Sequence, residues 1–269
     1  TNDVHSRLDP FPMDGGKYAG LGGVVNRERI INKIRSEESN VLLLDAGDMF
    51  QGTPYYNLYK GQAEIEMMSL LNYDAGTIGN HDFDNGMDGF LKVKSNANFP
   101  FICSNYDFSG TVLKDKTIPY RIFNKGGIKI GVFGVGIELH GLVDKKLYGN
   151  TKYLDPIKTA QKYADLLKQK HQCNLVICLS HLGYKYDGKK LSDSLLATKT
   201  SGIDLILGGH THTFLEKAEK IKNKEGGTTL VNQAGWAGVN IGKVDFYFNK
   251  TSKKSLNLFD GNASYLEIK

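Results

Sequence analysis

Short apolar runs that end in turn-forming or polar residues recur along the chain. Four of them have the length and the flanking turn signals expected of buried strands. They cover residues 41–44, 75–78, 175–179 and 203–207. Segments with apolar residues at helical spacing lie among these runs, at residues 24–36, 63–71, 156–170 and 191–199. This alternation predicts an α/β fold with helices on both faces of the sheet.

The rest of the pattern completes the predicted domain. Strands are expected at residues 128–135, 242–248 and 263–268, and the charged segment 217–227 is expected to be a surface loop. No internal repeat or linker divides the chain, so residues 1–269 are predicted to form a single catalytic domain. A strand should precede Asp3, yet two residues stand before it. We therefore expect the first strand to be truncated.

Composition excludes several classes of function. The net charge of +5 comes from 34 Lys and Arg against 29 Asp and Glu spread along the chain, which indicates a solvated Lys-rich surface. Without a basic block, nucleic-acid polymers are not expected as partners. No apolar run reaches the roughly 18 residues of a membrane helix, so no membrane insertion is expected. The cysteines, Cys103, Cys173 and Cys178, are expected to pack in the interior as free thiols.

Residues of metal-ligand type follow the predicted strands. Because the carboxyl ends of strands in an open α/β sheet converge on one crevice, clusters that are far apart in sequence can meet there. Five of the seven histidines belong to these clusters. The candidate ligands are Asp3, His5, Asp48, Asn80, His181, His210 and His212. A structural zinc ion is closed by four ligands, so seven candidates indicate two ions that share a bridging carboxylate.

Each cluster taken alone has a structural explanation. Asp3 and His5 alone are typical of a solvated loop, and His181 alone is typical of a hydrogen-bonded core histidine. Their joint occurrence at strand ends favours a metal centre. Asp45 lies nearer the strand interior than Asp48 and is expected to make a structural hydrogen bond. Nitrogen and oxygen donors without cysteine suit manganese, iron or zinc better than calcium or magnesium.

The stretch from Gly79 to Asp84 carries the candidate catalytic pair. Asn80 can complete a metal shell without adding charge, and the next side chain, His81, can face the substrate. Asp84 follows three residues later, where its carboxylate can orient the imidazole. Two ions that activate a water molecule and polarise a phosphoryl oxygen suit phosphoester hydrolysis by in-line attack. In that scheme His81 assists the departing oxygen.

The ordered set Asp-x-His, Gly-Asp, Gly-Asn-His-Asp, a lone His and Gly-His-x-His resembles the calcineurin-like metallophosphoesterase superfamily. Three stretches resemble more narrowly the N-terminal catalytic domain of 5'-nucleotidases. They are residues 1–7, residues 45–48 with Gln51-Gly52-Thr53, and residues 79–86. The similarity extends from the first residue to about Phe248, and the combined motifs are far more specific than any one alone.

The resemblance implies a four-layer α/β/β/α sandwich with two central mixed sheets and a centre of two divalent ions (Mn, Zn or Fe). It implies that Asp48 bridges the ions and that His81 and Asp84 are the catalytic pair. Asp82, where many relatives carry glutamate, is not implied as a ligand. The remaining ligands are divided between the ions as Asp3, His5 and His212 for one, and Asn80, His181 and His210 for the other. A periplasmic or secreted location is a further expectation from the family.

The resemblance favours a 5'-nucleotidase-like phosphomonoesterase acting on a small-molecule phosphoester. Phosphodiesterase, nucleotide-sugar hydrolase and 2',3'-cyclic-nucleotide hydrolase activities remain as alternatives, as does a noncatalytic metal-binding docking module. His81 and Asp84 oppose the docking module, because neither is needed to hold ions. Such nucleotidases continue into a C-terminal nucleotide-specificity domain that we do not expect within residues 1–269, so a further segment or a partner chain is expected to supply specificity. Trp236 and Tyr184 are expected to be packing residues.

Overall fold

The computed structural model describes residues 1–252 and 255–267, with side chains through residue 248. The helices are α1 (Val24–Glu37), α2 (Pro54–Tyr59), α3 (Gln62–Leu70), α4 (Gly86–Lys94), α5 (Lys145–Tyr148), α6 (Pro156–Asp165) and α7 (Asp193–Lys199). A 3-10 turn covers His81–Phe83, and a π-helical turn at Leu166–Lys170 extends α6. The strands are β1 (Leu44–Asp45), β2 (Ala75–Gly76), β3 (Tyr106–Asp107), β4 (Tyr120–Lys125), β5 (Ile128–Gly136), β6 (Lys152–Tyr153), β7 (Leu175–His181), β8 (Leu205–Gly208), β9 (Glu219–Lys222), β10 (Thr228–Asn232), β11 (Asn240–Ser252) and β12 (Ser255–Glu267).

The main sheet has six strands in the order β4-β5-β7-β8-β10-β9. Its four central strands are parallel, and the edge strands β4 and β9 run antiparallel to their neighbours. All seven residues of β7 are buried, as expected of a central strand covered on both faces. The parallel arrangement brings the carboxyl ends of β5, β7, β8 and β10 to one edge.

A second sheet region faces the main sheet. It contains the parallel pair β1-β2, and isolated bridges join Gly76 to Phe101 and Ile102 to Ile118. Residues 1–3 run beside β1, with Thr1 N donating to Leu44 O at 2.9 Å. β11 and β12 form a long antiparallel hairpin.

Three apolar cores show how the layers stack. One core packs Ile31 of α1, Ile65 of α3 and Phe90 of α4 against the outer face of the second sheet region. Another joins the two sheet regions, for example Leu44 with Ile177. The third packs α6 and α7 against the outer face of the main sheet. Three cores require four layers, so the predicted α/β/β/α architecture with mixed sheets is confirmed.

Most predicted elements are present, with shifted ends. The helices at 24–36 and 63–71 become α1 and α3 within one residue at each end. α6 begins as predicted, because Asp155 caps it and Pro156 occupies its first turn. The helix predicted from residue 191 begins two residues later, where Ser192 Oγ accepts from Leu195 N. The closing strands are longer than predicted, and Ile268 lies outside the described residues.

Two predictions about strands need correction. Residues 217–227 are not wholly loop, because Glu219–Lys222 forms edge strand β9 with Ile221 turned into the core. The run 41–44 forms regular strand only from Leu44, because Leu43 N donates to the Asp74 side chain at 2.8 Å and not to a neighbouring strand. In the described part of the chain, no helix combines the length and the apolar character needed to cross a bilayer.

Candidate metal centre

The seven predicted ligands converge at the carboxyl edge of the sheets. Six of them form two groups, and within each group the potential ligand atoms lie within 4.8 Å of one another. The groups are Asp3, His5 and His212, and Asp48, His181 and His210. The seventh, Asn80, joins the second group, because its Oδ1 lies 2.8 Å from Nδ1 of His210. Residues more than 200 positions apart in sequence therefore share one centre.

The first group is held by backbone contacts on its far side. His5 Nδ1 lies 3.0 Å from Phe50 O and donates to that carbonyl, which leaves Nε2 as the free nitrogen. That Nε2 lies 3.1 Å from Nε2 of His212, which in turn lies 3.3 Å from Oδ1 of Asp3. Asp3 is fully buried and accepts from His210 N, so it also fixes the loop of the second group.

The second group is arranged in the same manner. His181 Nδ1 donates to Ala46 O at 2.8 Å, which directs Nε2 toward Asp48. Nε2 lies 3.1 Å from Asp48 Oδ2 and makes no hydrogen bond within the described residues, although the side chain is fully buried. Asp48 Oδ2 also lies 3.8 Å from His5 Nε2. Asp48 thus stands between the two groups, in the place expected of a bridging carboxylate.

These distances fit bound divalent ions. Two donors about 2.1 Å from one ion at angles of roughly 90–110° lie roughly 3.0–3.4 Å apart. The three contacts His5–His212, His212–Asp3 and His181–Asp48 fall within that range. The fully buried Nε2 of His181 makes no hydrogen bond within the described residues, which is costly unless it binds a cation. The residues present therefore fit two ions with mixed nitrogen and oxygen ligands.

The electrostatics of the centre favour positive charge. Burial lowers the pKa of His5, and it lowers that of His210 to about 4, so both imidazoles are neutral and can bind metal. Burial also disfavours the charged form of His181, but Asp48 and Asp3 outweigh it and raise that pKa to about 10. Burial opposes ionisation of Asp48, yet His181 holds its pKa far below the usual range. The two carboxylates thus favour a positive charge at this position.

Asp82 organises the backbone beneath the centre. Its fully buried carboxylate accepts from four amides, those of Asp48, Met49, Phe50 and Gly79, at 2.7–3.3 Å. These bonds join the turn that carries Asp48 to the turn that carries Asn80. Asp82 therefore holds two ligand loops in register without facing the ions.

The candidate catalytic pair lies at the mouth of the centre. His81 Nδ1 is 2.8 Å from Asp84 Oδ2, and the imidazole is 39% exposed. The hydrogen bond to Asp84 raises the pKa of His81 against the opposing effect of burial. The His81 amide donates to Asp48 Oδ1 at 2.8 Å, which connects this histidine to the carboxylate between the two groups. The structure thus places an oriented, accessible imidazole beside the ion sites.

The remaining candidates lie where their packing explains them. Asp45 accepts from the Gly47 amide and from the Thr1 hydroxyl, a structural role. Tyr184 OH donates to Glu219 at 2.7 Å. The Trp236 ring stacks on His212 with ring centroids 6.0 Å apart, so it contacts a predicted ligand directly. The three cysteines are buried free thiols.

Two polar residues at the centre were missed from the sequence. Asn2 and Gln233 are buried and hydrogen-bond to the ligand loops. A weak signal for Gln233 existed, because the apolar residues 230–231 precede polar residues as at the other strand ends. Asn2 adjoins a ligand and has no pattern of its own.

Comparison with known proteins decides the family. The model of the calcineurin-like phosphoesterase family matches residues 1–214, which contain all nine predicted site residues. The chain belongs to this family. Membership in the phosphoesterase family confirms the resemblance inferred from the motifs, and the matched region ends between β8 and β9.

Individual relatives carry nucleotidase names. The chain is 39% identical over 223 residues to a snake venom 5'-nucleotidase of Naja atra, covering 80% of this chain and 40% of that protein. It is 32% identical to the trifunctional nucleotide phosphoesterase YfkN of Bacillus subtilis, covering 96% of this chain and 19% of that protein. The solved 5'-nucleotidase precursor of Thermus thermophilus superposes with a TM-score of 0.88 at 32% identity, over 100% of this chain and 53% of that one. This phosphoesterase chain thus spans about half or less of these relatives.

Proposed function

We propose that the chain hydrolyses phosphomonoesters, with 5'-nucleotides as substrates, at a centre of two divalent ions. The observation that carries the proposal is the position of Asp48 between two ligand groups, with the His81–Asp84 pair at their mouth. The nucleotidase names of the relatives support the substrate class. Of the metals, manganese, zinc and iron suit this donor set best.

Different residues have different roles in the proposed reaction. Bound ions would supply a water molecule of lowered pKa and offset the charge on the phosphoryl oxygens. Asp48 and the two ligand groups would hold the two ions, and the buried residues behind them would exclude bulk water. His81 donates a proton to the departing oxygen, or stabilises its charge, as the phosphorus–oxygen bond breaks. Asp84 accepts from Nδ1 and so presents Nε2 as the reactive nitrogen.

The deciding experiment measures phosphate release from AMP by the purified chain after chelation and re-addition of manganese, zinc or buffer alone. An aryl phosphate, a bis-aryl phosphate and a 2',3'-cyclic nucleotide are assayed in parallel. Metal-dependent release from AMP and the aryl phosphate supports the proposal. Faster turnover of a diester than of AMP would replace it with the phosphodiesterase alternative. Release from the aryl phosphate alone would keep the chemistry and assign nucleotide recognition to a further domain or chain.

We propose in addition that the protein acts outside the cytoplasm. Support comes from its similarity to a snake venom enzyme. Fractionation of the source cells tests the location, and recovery of the protein in the cytoplasmic fraction would contradict it.

A further inference from the structure

The segment 233–237, called the strap here, follows β10 and passes beneath loops of both ligand groups. It lies outside the region matched by the family model, which ends at residue 214. We propose that the strap positions both ion sites, with Gln233 setting the loop of His210 and His212 and Asn2 setting Asp3. The inference rests on the proposed two-ion function and adds residues that act through the ligands.

Gln233 connects both sides of the histidine loop. Its side chain is 1% exposed. Nε2 donates to Gly209 O at 2.6 Å, on the near side of His210. Oε1 accepts from the Thr211 hydroxyl at 3.1 Å and from the Thr213 amide, on either side of His212. A carboxamide offers a donor and an acceptor together, so one side chain fixes the whole loop.

The loop needs such support because its backbone is strained. His210 and His212 have φ values of 73° and 53°, in the left-handed region that non-glycine residues seldom adopt. Such conformations persist where surrounding contacts hold them. The loop contributes one ligand to each group, so a shift of this loop displaces a donor from both ions.

Asn2 connects the strap to the other end of the chain. Its Oδ1 accepts from the Ala234 amide at 2.9 Å, and its Nδ2 donates to Gly235 O at 2.7 Å. The same Nδ2 lies 2.6 Å from Asp3 Oδ2, while the other carboxylate oxygen of Asp3 faces His212. Ala237 N also donates to Asp3 O at 2.8 Å. Asn2 therefore orients one oxygen of a ligand that belongs to the first group alone.

The hydrogen bonds of Gln233 and those of Asn2 should affect the two ion sites differently. Loss of the Gln233 bonds should weaken the binding of both ions, whereas loss of the Asn2 bonds should weaken chiefly the ion held by Asp3, His5 and His212. Partners that orient metal ligands typically contribute 10–100-fold in metal affinity. A residue that merely stabilises the fold would not discriminate between the ions.

The experiment titrates the full chain with Mn²⁺ alone, using equilibrium binding and the electron paramagnetic resonance of spin-coupled and isolated Mn²⁺. Asn2→Ala should bind one ion roughly 10–100-fold more weakly, leaving a spectrum of isolated Mn²⁺ at intermediate concentrations. Gln233→Ala should weaken both ions. Gln233→Glu keeps the acceptor for Thr211 and Thr213 and should fall between wild type and Gln233→Ala, which preserves the test if the alanine variant does not fold.

Asn232 provides a matched control. It adjoins Gln233, is 3% exposed, and borders the cavity between the two sheets. Asn232→Ala should leave both Mn²⁺ affinities unchanged. An equal loss of Mn²⁺ affinity in Asn232→Ala would contradict the proposed role of the strap. Unchanged Mn²⁺ affinities in Asn2→Ala and Gln233→Ala would contradict it as well. If either of these results is found while the wild type binds two ions and releases phosphate from AMP, the proposed function stands and only the role of the strap is rejected. Failure of the wild type to bind two ions overturns both.

Discussion

His81 differs from the other histidines of the centre in its surroundings. The predicted ligand histidines each direct a ring nitrogen toward another predicted ligand, whereas the His81 ring pairs with Asp84, which is not a predicted ligand. It contacts Asp48 through its backbone amide, so its side chain is not required to place that carboxylate. We therefore expect the effect of His81 on catalysis to be separable from its effect on ion binding.

Replacing His81 with Asn should leave the Mn²⁺ content near wild type and lower kcat about 10²–10⁴-fold, because general acid catalysis typically contributes that factor. Metal analysis and AMP hydrolysis on the same preparation check this. His140→Asn, at an exposed histidine, is the matched control. Parallel loss of metal and turnover in His81→Asn would assign the residue to metal binding. Undiminished turnover would show that His81 does not assist the leaving group.

Asp193 introduces a pH dependence of folding. It is fully buried and accepts from Ser180 Oγ at 2.5 Å, and its other oxygen has no hydrogen bond within the described residues. Burial raises its pKa from 3.8 to about 8. The folded state therefore keeps a proton that the unfolded chain releases above about pH 4. The contribution of Asp193 to the free energy of unfolding is largest below pH 4 and declines as pH rises to about 8.

Asp193→Asn should make that decline shallower, because the amide is isosteric and does not titrate. One group can account for up to about 1.4 kcal/mol per pH unit of slope. Urea denaturation of the metal-free protein between pH 5 and 8 measures the effect. Asp187→Asn, at an exposed carboxylate, controls for the change of residue type. Identical slopes in wild type and Asp193→Asn would show that Asp193 is ionised in the folded state.

At the scale of elements, the two sheet regions meet near the carboxyl end of β5. Ser104 N donates to Gly134 O at 2.8 Å, and Asn105 exchanges two hydrogen bonds of 2.8 Å with Gly136. A Cβ atom on Gly134 would lie 2.2 Å from Ile102 O and 2.7 Å from Thr77 Oγ1. This approach requires a residue without a side chain.

Gly134→Ala should lower the free energy of unfolding by about 1–3 kcal/mol or more, because backbone atoms cannot move away as a flexible side chain can. Gly110→Ala is the comparison, since its Cβ would meet nothing closer than 3.4 Å. That exposed change should stay within about 0.5 kcal/mol. Chemical denaturation of both variants measures the difference, and equal stabilities would mean that the sheets separate at little cost.

The accuracy of the element predictions followed from local physics. Buried central strands such as β7 were found because apolar runs carry the signal, and α6 was found because Asp155 and Pro156 mark its start. β9 was missed because its single inward residue, Ile221, stands between charged ones. α4 was missed because its glycines weaken the helical pattern.

The centre was predicted as a set of residues, because strand ends converge. Its geometry was not, since it depends on side chains such as Asp82 that bind the backbone far away in sequence. The assignment of each ligand to its ion, and the role of the catalytic pair, remain predictions that the proposed experiments test.

At the scale of the whole molecule, the ligands come from positions 3 to 212. Ions bound at this centre would join segments from both sheet regions. Because the unfolded chain does not bring these ligands together, the ions would bind to the folded state and not to the unfolded state. Metal binding should therefore stabilise the entire fold and not only the loops.

Mn²⁺ at about 100 times its Kd should add about 2.7 kcal/mol per ion site to the free energy of unfolding. For a chain of this size the corresponding rise in Tm is roughly 5–10 °C per site. Thermal melts with chelator and with Mn²⁺ measure it. Asp48→Asn, which weakens the carboxylate between the groups, should lose most of the rise. A full rise in that variant would place the ions elsewhere.

Five of the predicted ligands, Asp3, His5, Asp48, His210 and His212, share a left-handed backbone conformation. Aspartate, asparagine and histidine tolerate it best among residues with side chains, and β-branched residues tolerate it least. The backbone conformation thus restricts the residue types that can serve as ligands at these positions. Substitutions among Asp, Asn and His at these positions should therefore change the donor atoms, and with them the preferred ion, without rebuilding the loops.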